Sequence, residues 1–485
     1  MVPVFELIKS LTPKEKGYFR KFCELQKGEK NYLDLFNVLE KMNHYDEAVL
    51  AAAFRERSFF KDLHVVRNYL YNLIMRSLRS FHWENTIDQK INDQITDAVL
   101  LEKRGLYEQA RSSLVKARKL ALKFHRYFLL IPITKKESSL WPLLEERRLQ
   151  EKMQKINEDL LAASEEIRNE IAICVYYNRW TNFQRVRQQE GSSGTWEQLL
   201  EEWTNFEKNH PQDGYSSFYS SYLMDCIRAT IAFFQKDPQT RFVHSARVLE
   251  KWAANDHMIK EEPHVYKIHL SNHLSCCFQL EKWELFPDLI AQLKALPSGN
   301  FNEEAETFQN YAFYEQLYLL NTLNFEGARE SLDHITQGLQ QYKAKINKAR
   351  ELTFYYNISV LYFMLEDFDK ALLWLVRILN HPPTDHRKDL QRLAQILQLF
   401  YHYELGNVVF LEGMLPNVRR KINRWAPLTE WEVFLFQLLD NLMTATSKKG
   451  TKEIIKKNWE ALQSGKHKAS LGFDEIEIWL KKKAT

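Results

Sequence analysis

Apolar positions recur along this chain at intervals of three and four residues, with charged and amide side chains between them. That spacing lays one apolar stripe along each of many helices. In YYNISVLYFMLEDFDKALLWLVRIL, Tyr355 to Leu379, the residues Ile358, Leu361, Tyr362 and Leu365 share one helical face. Phe368, Leu372, Leu375 and Ile378 share a second. Glu366 and Asp367 interrupt the stripe, and acidic groups suit the positive end of the helix that follows. Ala371 is small enough to let two antiparallel helices approach closely. The pattern predicts an αα-hairpin.

The same punctuation returns at a period near 40 residues. LNTLNFEGARESLDHI places Phe325 and Ala328 as Phe368 and Ala371 are placed, and LSCCFQLEKWELFPDLIAQL puts Trp283 in the corresponding role. LFYHYELGNVVFLEGML breaks at Leu405-Gly406-Asn407, about one repeat after Glu366-Asp367. One hairpin cannot bury its own apolar stripe, so neighbours stack to bury it. The expected fold class is all-α: antiparallel helix hairpins stacked into a solenoid.

Within LLEKRGLYEQARSSLVKARKLALKF, Gly105, Tyr107, Ala110, Leu114 and Ala117 resemble the turn and second helix of a tetratricopeptide repeat. The first helix of this unit lacks the family's Trp, Leu-Gly and Tyr signature, and no Pro follows the second. The later hairpins are longer than the family's repeat of about 34 residues. HEAT-type hairpins are the neighbouring alternative. The resemblance covers residues 91–445 and implies a fold rather than a ligand.

Residues 1–90 read differently, as a small helical head. In SLTPKEKGYFRKF, Thr12 is the expected N-cap and Pro13 the first helical residue. The whole chain, in particular the pairing of this segment with VRNYLYNLIMRSLRSF, resembles a group of uncharacterised conserved proteins of the Bacteroidota, a likeness that brings no activity with it. Beyond Pro142, residues up to 186 predict one or two long amphipathic helices, and Gly191 to Gly194 predict a flexible linker. Residues 446–485 are lysine-rich, with Ile476, Trp479 and Leu480 as the stripe of a helical cap.

Composition narrows the classes further. Gly (14) and Pro (13) are scarce in 485 residues, which argues against a β-sandwich or barrel with its many tight turns. A net charge of +4 implies no obligate polyanion partner. The five cysteines show no CxxC pairing, which fits a reducing cytoplasm. No run of 18 uncharged apolar residues occurs, so no membrane insertion is expected.

Three segments carry candidate chemistry. His269 and His273 stand four apart, with Cys276 and Cys277 one turn on, a spacing from which a metal-dependent enzyme could be built. The same helix opens a hairpin in which cysteine serves as a small buried apolar residue, and no zincin glutamate accompanies it. In the head, Arg67, Arg76 and Arg79 alternate with Tyr69, Tyr71 and Phe81, a nucleic-acid-binding pattern. Val66, Leu70, Leu73 and Leu78 instead mark a helix that mostly buries itself. Lys481, Lys482 and Lys483 suit either an acidic surface or a solvated cap. Nucleophile-elbow, P-loop, dinucleotide and HExxH motifs are all missing.

The sequence therefore points to a non-catalytic protein–protein interaction scaffold with no cofactor and a peptide or protein partner held in a helical-repeat groove. In tetratricopeptide geometry, Phe313, Tyr356 and Phe363 would face that groove. Their other reading is core between hairpins.

Overall fold

The computed structural model describes residues 3–24, 31–82, 86–144, 149–190, 196–209, 217–381, 387–445, 447–463 and 474–484. The expected linker at Gly191–Gly194 lies outside them. All regular structure among the described residues is helical, without a strand. No helix among them is long and apolar enough to cross a membrane. The chain divides into two compact units, residues 1–281 with 296–303, and residues 282–295 with 304–485.

In the first unit, helices Pro3–Ser10, Pro13–Glu24, Asn31–Lys41, Glu47–Phe54 and Leu63–Phe81 enclose a core built on Ile8, Phe19, Leu35, Phe36, Leu39, Leu70 and Ile74. Thr12 caps its helix as expected. Its hydroxyl accepts from the Glu15 N–H at 3.2 Å, and the Glu15 carboxylate accepts from the Thr12 N–H at 2.7 Å. Helices Ile87–Glu102 and Tyr107–Lys123 then pair, with Ala110, Leu114 and Ala117 fully buried at their contact. A single helix, Leu149–Glu190, follows and packs on Phe218–Phe234. That helix pairs with Pro238–Ala253, against which Pro263–Gln279 lies.

In the second unit, Phe325–Gln341 packs on Lys348–Met364, which pairs with Phe368–Leu379. Lys388–Glu404 lies next, buried along most of its length from Leu390 to Tyr401. Val408–Trp425, Glu430–Thr444, Lys448–Gln463 and Asp474–Ala484 complete the unit. Small residues mark the close approaches. Ala328 and Ala371 are buried, and the Ser359 hydroxyl donates to the Ala371 carbonyl at 2.8 Å.

The hairpin turns share one geometry. Gly105, Lys236, Leu323, Glu366 and Gly406 are left-handed, with φ of 75°, 58°, 53°, 61° and 74°. The N–H of the next residue reaches back five positions: Asp237 to the Ala232 carbonyl (2.9 Å), Asp367 to Tyr362 (3.0 Å), Asn407 to His402 (3.0 Å). Leu106 and Asn324 do the same at 3.0 and 3.3 Å. This Schellman closure satisfies carbonyls that the helix end leaves open. Asp237, Asn324 and Asp367 then cap the following helix, accepting from the N–H groups of Thr240, Gly327 and Lys370. One short polar side chain thus follows the end of one helix and begins the next.

Candidate functional site

A concave surface of the second unit lies over helix 388–404, walled by helices 368–379 and 408–425, with a volume of about 1230 Å³. Helix 408–425 buries Leu411, Leu415, Val418 and Ile422, a stripe at helical spacing. Val409 and Phe410 fall off that stripe, so the left-handed turn at Gly406 delivers them to the surface, 84% and 57% exposed. The His402 ring meets Phe410 edge-on at 4.9 Å. Val376, Leu379, Val408, Met414 and Val418 extend the apolar wall.

The floor is polar. Gln395 and Gln398 are buried on the central helix, and the Gln398 amide donates to the Gln395 side-chain oxygen at 3.1 Å. It also donates to the Gln395 carbonyl at 3.2 Å. The Gln395 amide N–H groups and the Gln398 amide oxygen take no part in these bonds. A donor and an acceptor therefore remain at the base of an apolar trough, and Lys421 supplies its one formal charge among the described residues.

The aromatic residues singled out in the sequence are placed otherwise. Tyr356 and Phe363 are core residues, 8% and 2% exposed, the second of the two readings above. The Tyr356 hydroxyl donates to the Glu475 carboxylate at 2.6 Å, and Phe363 stacks on Tyr401 with centroids 4.8 Å apart. Phe313 is half-buried under the Arg350 guanidinium, 4.3 Å from its ring centre. Tetratricopeptide geometry picked out Tyr356 and Phe363, and both lie instead on buried faces of their helix. What that geometry passed over was the trio Gln391, Gln395 and Gln398, amides at helical spacing on a buried face.

His269 and His273 lie on one helix but turn to different partners. His273 Nδ1 is 2.8 Å from the Ser245 hydroxyl, whereas His269 Nδ1 is 3.9 Å from the Cys226 sulfur. The Cys276 thiol donates to the Asn272 carbonyl. Burial pulls both imidazoles down to about 4, so neither is charged near neutrality. Among the described residues, no group of three or more His, Cys, Asp or Glu is placed to hold a metal ion.

In the head, Arg67 pairs with Glu47 at 2.7 Å, while Arg76, Arg79, Tyr69 and Tyr71 are exposed and Leu70 and Leu73 are buried. In helix 474–484, Ile476, Trp479 and Leu480 form the expected buried stripe. Lys482 pairs with Glu366 and Lys483 with Glu404, each at 2.7 Å, so two of the three lysines have internal acidic partners.

Comparison with protein-family models, curated proteins and solved structures finds no match to the chain.

Proposed function

We propose that this protein is a non-catalytic cytoplasmic scaffold whose helix hairpins stack in a tetratricopeptide-like manner and whose trough over helix 388–404 holds a peptide segment of a protein partner. The observation that carries this reading is the exposure of Val409 and Phe410 beside the amides of Gln395 and Gln398. Single exposed apolar residues are ordinary, but a continuous apolar wall above free amide groups suits a bound polypeptide. Apolar side chains would pack on Val376, Val409 and Phe410, and a backbone amide would pair with the glutamines. Arg419, Arg420, Lys421 and Arg424 are exposed on the same helix and favour acidic flanks in the partner. Five cysteines outside any disulfide suit a reducing compartment.

The test is selection of phage-displayed random peptides on the full chain. Enriched sequences should combine apolar residues with acidic flanks and should lose at least tenfold in affinity for the Val409→Asp/Phe410→Asp variant. Both side chains are exposed, so the variant should keep its melting temperature. Enriched peptides that bind the variant undiminished would remove the assignment.

A further inference from the structure

A separate cavity of about 270 Å³ lies in the first unit, between helices 218–234, 238–253 and 263–279 and the later turns of helix 149–190. Its apolar lining comes from Ala229, Phe233, Val248 and Ile268, and its polar lining includes Tyr177, Thr230 and Asn272. Among the described residues, Arg241 is its one formally charged side chain. The guanidinium lies 5.1 Å from the centre of the Phe233 ring and donates to Gln279 Oε1 at 3.2 Å and to Ser275 Oγ at 3.4 Å.

Both of those bonds are long, and both acceptors are neutral. A guanidinium carries five N–H donors, so three remain. Three other partly buried cations of this unit are neutralised: Arg228 by Glu207 at 2.6 Å, Lys251 by Asp225 at 2.5 Å, Arg126 by Asp88 and Glu262 at 2.5 and 2.8 Å. No carboxylate pairs with Arg241 among the described residues. Nothing else in the described lining offsets it, since burial keeps the Cys226 and Cys276 thiols protonated, and it adds no second cation, since burial keeps the His269 imidazole neutral. Among the described residues, the cavity lining holds one positive charge, no negative charge, and an apolar wall.

We propose that this cavity binds a small organic monocarboxylate, with its carboxylate on the free edge of Arg241 and its apolar body against Phe233 and Ile268. A guanidinium fork matches a carboxylate in both shape and charge. One cation balances one negative charge, which favours a monocarboxylate over a dianionic phosphate. The volume falls just below the usual range for ligand pockets, roughly 300–1,000 Å³, so the apolar body is a single ring or a short chain. The site goes beyond the scaffold reading and does not depend on it.

Saturation-transfer NMR on the full chain at pH 7 tests it, with phenylacetate, benzoate and hexanoate as probes and phenylacetamide as the neutral control. At least one carboxylate should receive saturation, with the matching amide at least tenfold weaker. Arg241→Gln should abolish the signal without moving the melting temperature, and Ile268→Ala should weaken it without abolishing it. The acid-against-amide comparison uses the unaltered protein and so survives a variant that fails to fold. Three silent probes, equal transfer to acid and amide, or undiminished transfer to a folded Arg241→Gln protein would each overturn the proposal.

Discussion

Gly338 leaves room for the ring of Phe308: a β-carbon on Gly338 would overlap Phe308 Cε2. That ring is almost fully buried and stacks on Phe354 with centroids 6.0 Å apart, so it has nowhere to withdraw. Gly338→Ala should gain up to about 1 kcal/mol of helix propensity and lose more than that to overpacking, ending about 2 kcal/mol less stable. Gly413, also helical, has nothing within 4 Å of its would-be β-carbon. Gly413→Ala should therefore stabilise, by up to about 1 kcal/mol. Urea denaturation of the two variants should give shifts of opposite sign; shifts of one sign would refute the packing argument.

Leu323 occupies a left-handed turn that favours glycine, with φ of 53° and 39% of its surface exposed. The conformation costs an L-residue roughly 1–2 kcal/mol, and little burial is lost on truncation. Leu323→Gly should raise stability by about 1 kcal/mol despite the greater freedom of glycine in the unfolded chain. Lys236→Gly, with φ of 58°, should behave alike. Glu366→Gly should gain less, because it also removes the pairing with Lys482. Denaturation midpoints that fall for both Leu323→Gly and Lys236→Gly would contradict this.

Phe363 and Tyr356 belong to the core, so altering them should act on folding first. Phe363→Ala should cost about 3–5 kcal/mol, the range for emptying a buried aromatic site. Tyr356→Phe removes a donor from the buried Glu475 carboxylate and should cost about 1–3 kcal/mol. Circular dichroism with urea reads both. Full stability in either variant would return that residue to the list of surface candidates.

The pair His269 and His273 makes acid sensitivity predictable in sign. Both titrate near 4 in the folded chain, against an ordinary value near 6.5. Between those limits the unfolded state binds more protons, so stability falls as pH drops from 6.5 towards 4, by roughly a few kcal/mol for the pair. Glu170 opposes this. Burial pushes its carboxyl up to about 7, and protonating it favours the folded state as pH drops from 7 to about 4.5. Comparison with variants separates the two. His269→Gln/His273→Gln should lose less stability than the unaltered protein between pH 7 and 4.5, and Glu170→Gln should be the more stable protein at pH 8. Parallel pH profiles for all three would count against both assignments.

The all-helical class was legible because burial in a helix leaves a mark at every third or fourth position, as at Leu411, Leu415, Val418 and Ile422. Thr12 was legible as a cap for a similarly local reason, since both of its bonds are made to Glu15. The break at Glu366-Asp367 was visible, but the division of labour within it was not. Glu366 supplies the left-handed bend and Asp367 the cap. Of the left-handed residues, His125, Lys236, Glu281, Leu323 and Glu366 are not glycine, so composition hid the recurring turn. The trough was the least legible feature. Val376, Gln395 and Phe410 come from three helices, and no spacing along the chain reports that they share a wall.

The Tyr356–Glu475 bond has a consequence for the order in which the second unit takes shape. Its hairpins are closed by neighbours a few positions apart, which is quick to achieve. Tyr356 and Glu475, in contrast, stand 119 positions apart, and Trp479 and Leu480 arrive on the same late segment to cover Phe400. A nascent chain can therefore assemble its zigzag of hairpins early. The Phe400 ring stays wet until helix 474–484 docks.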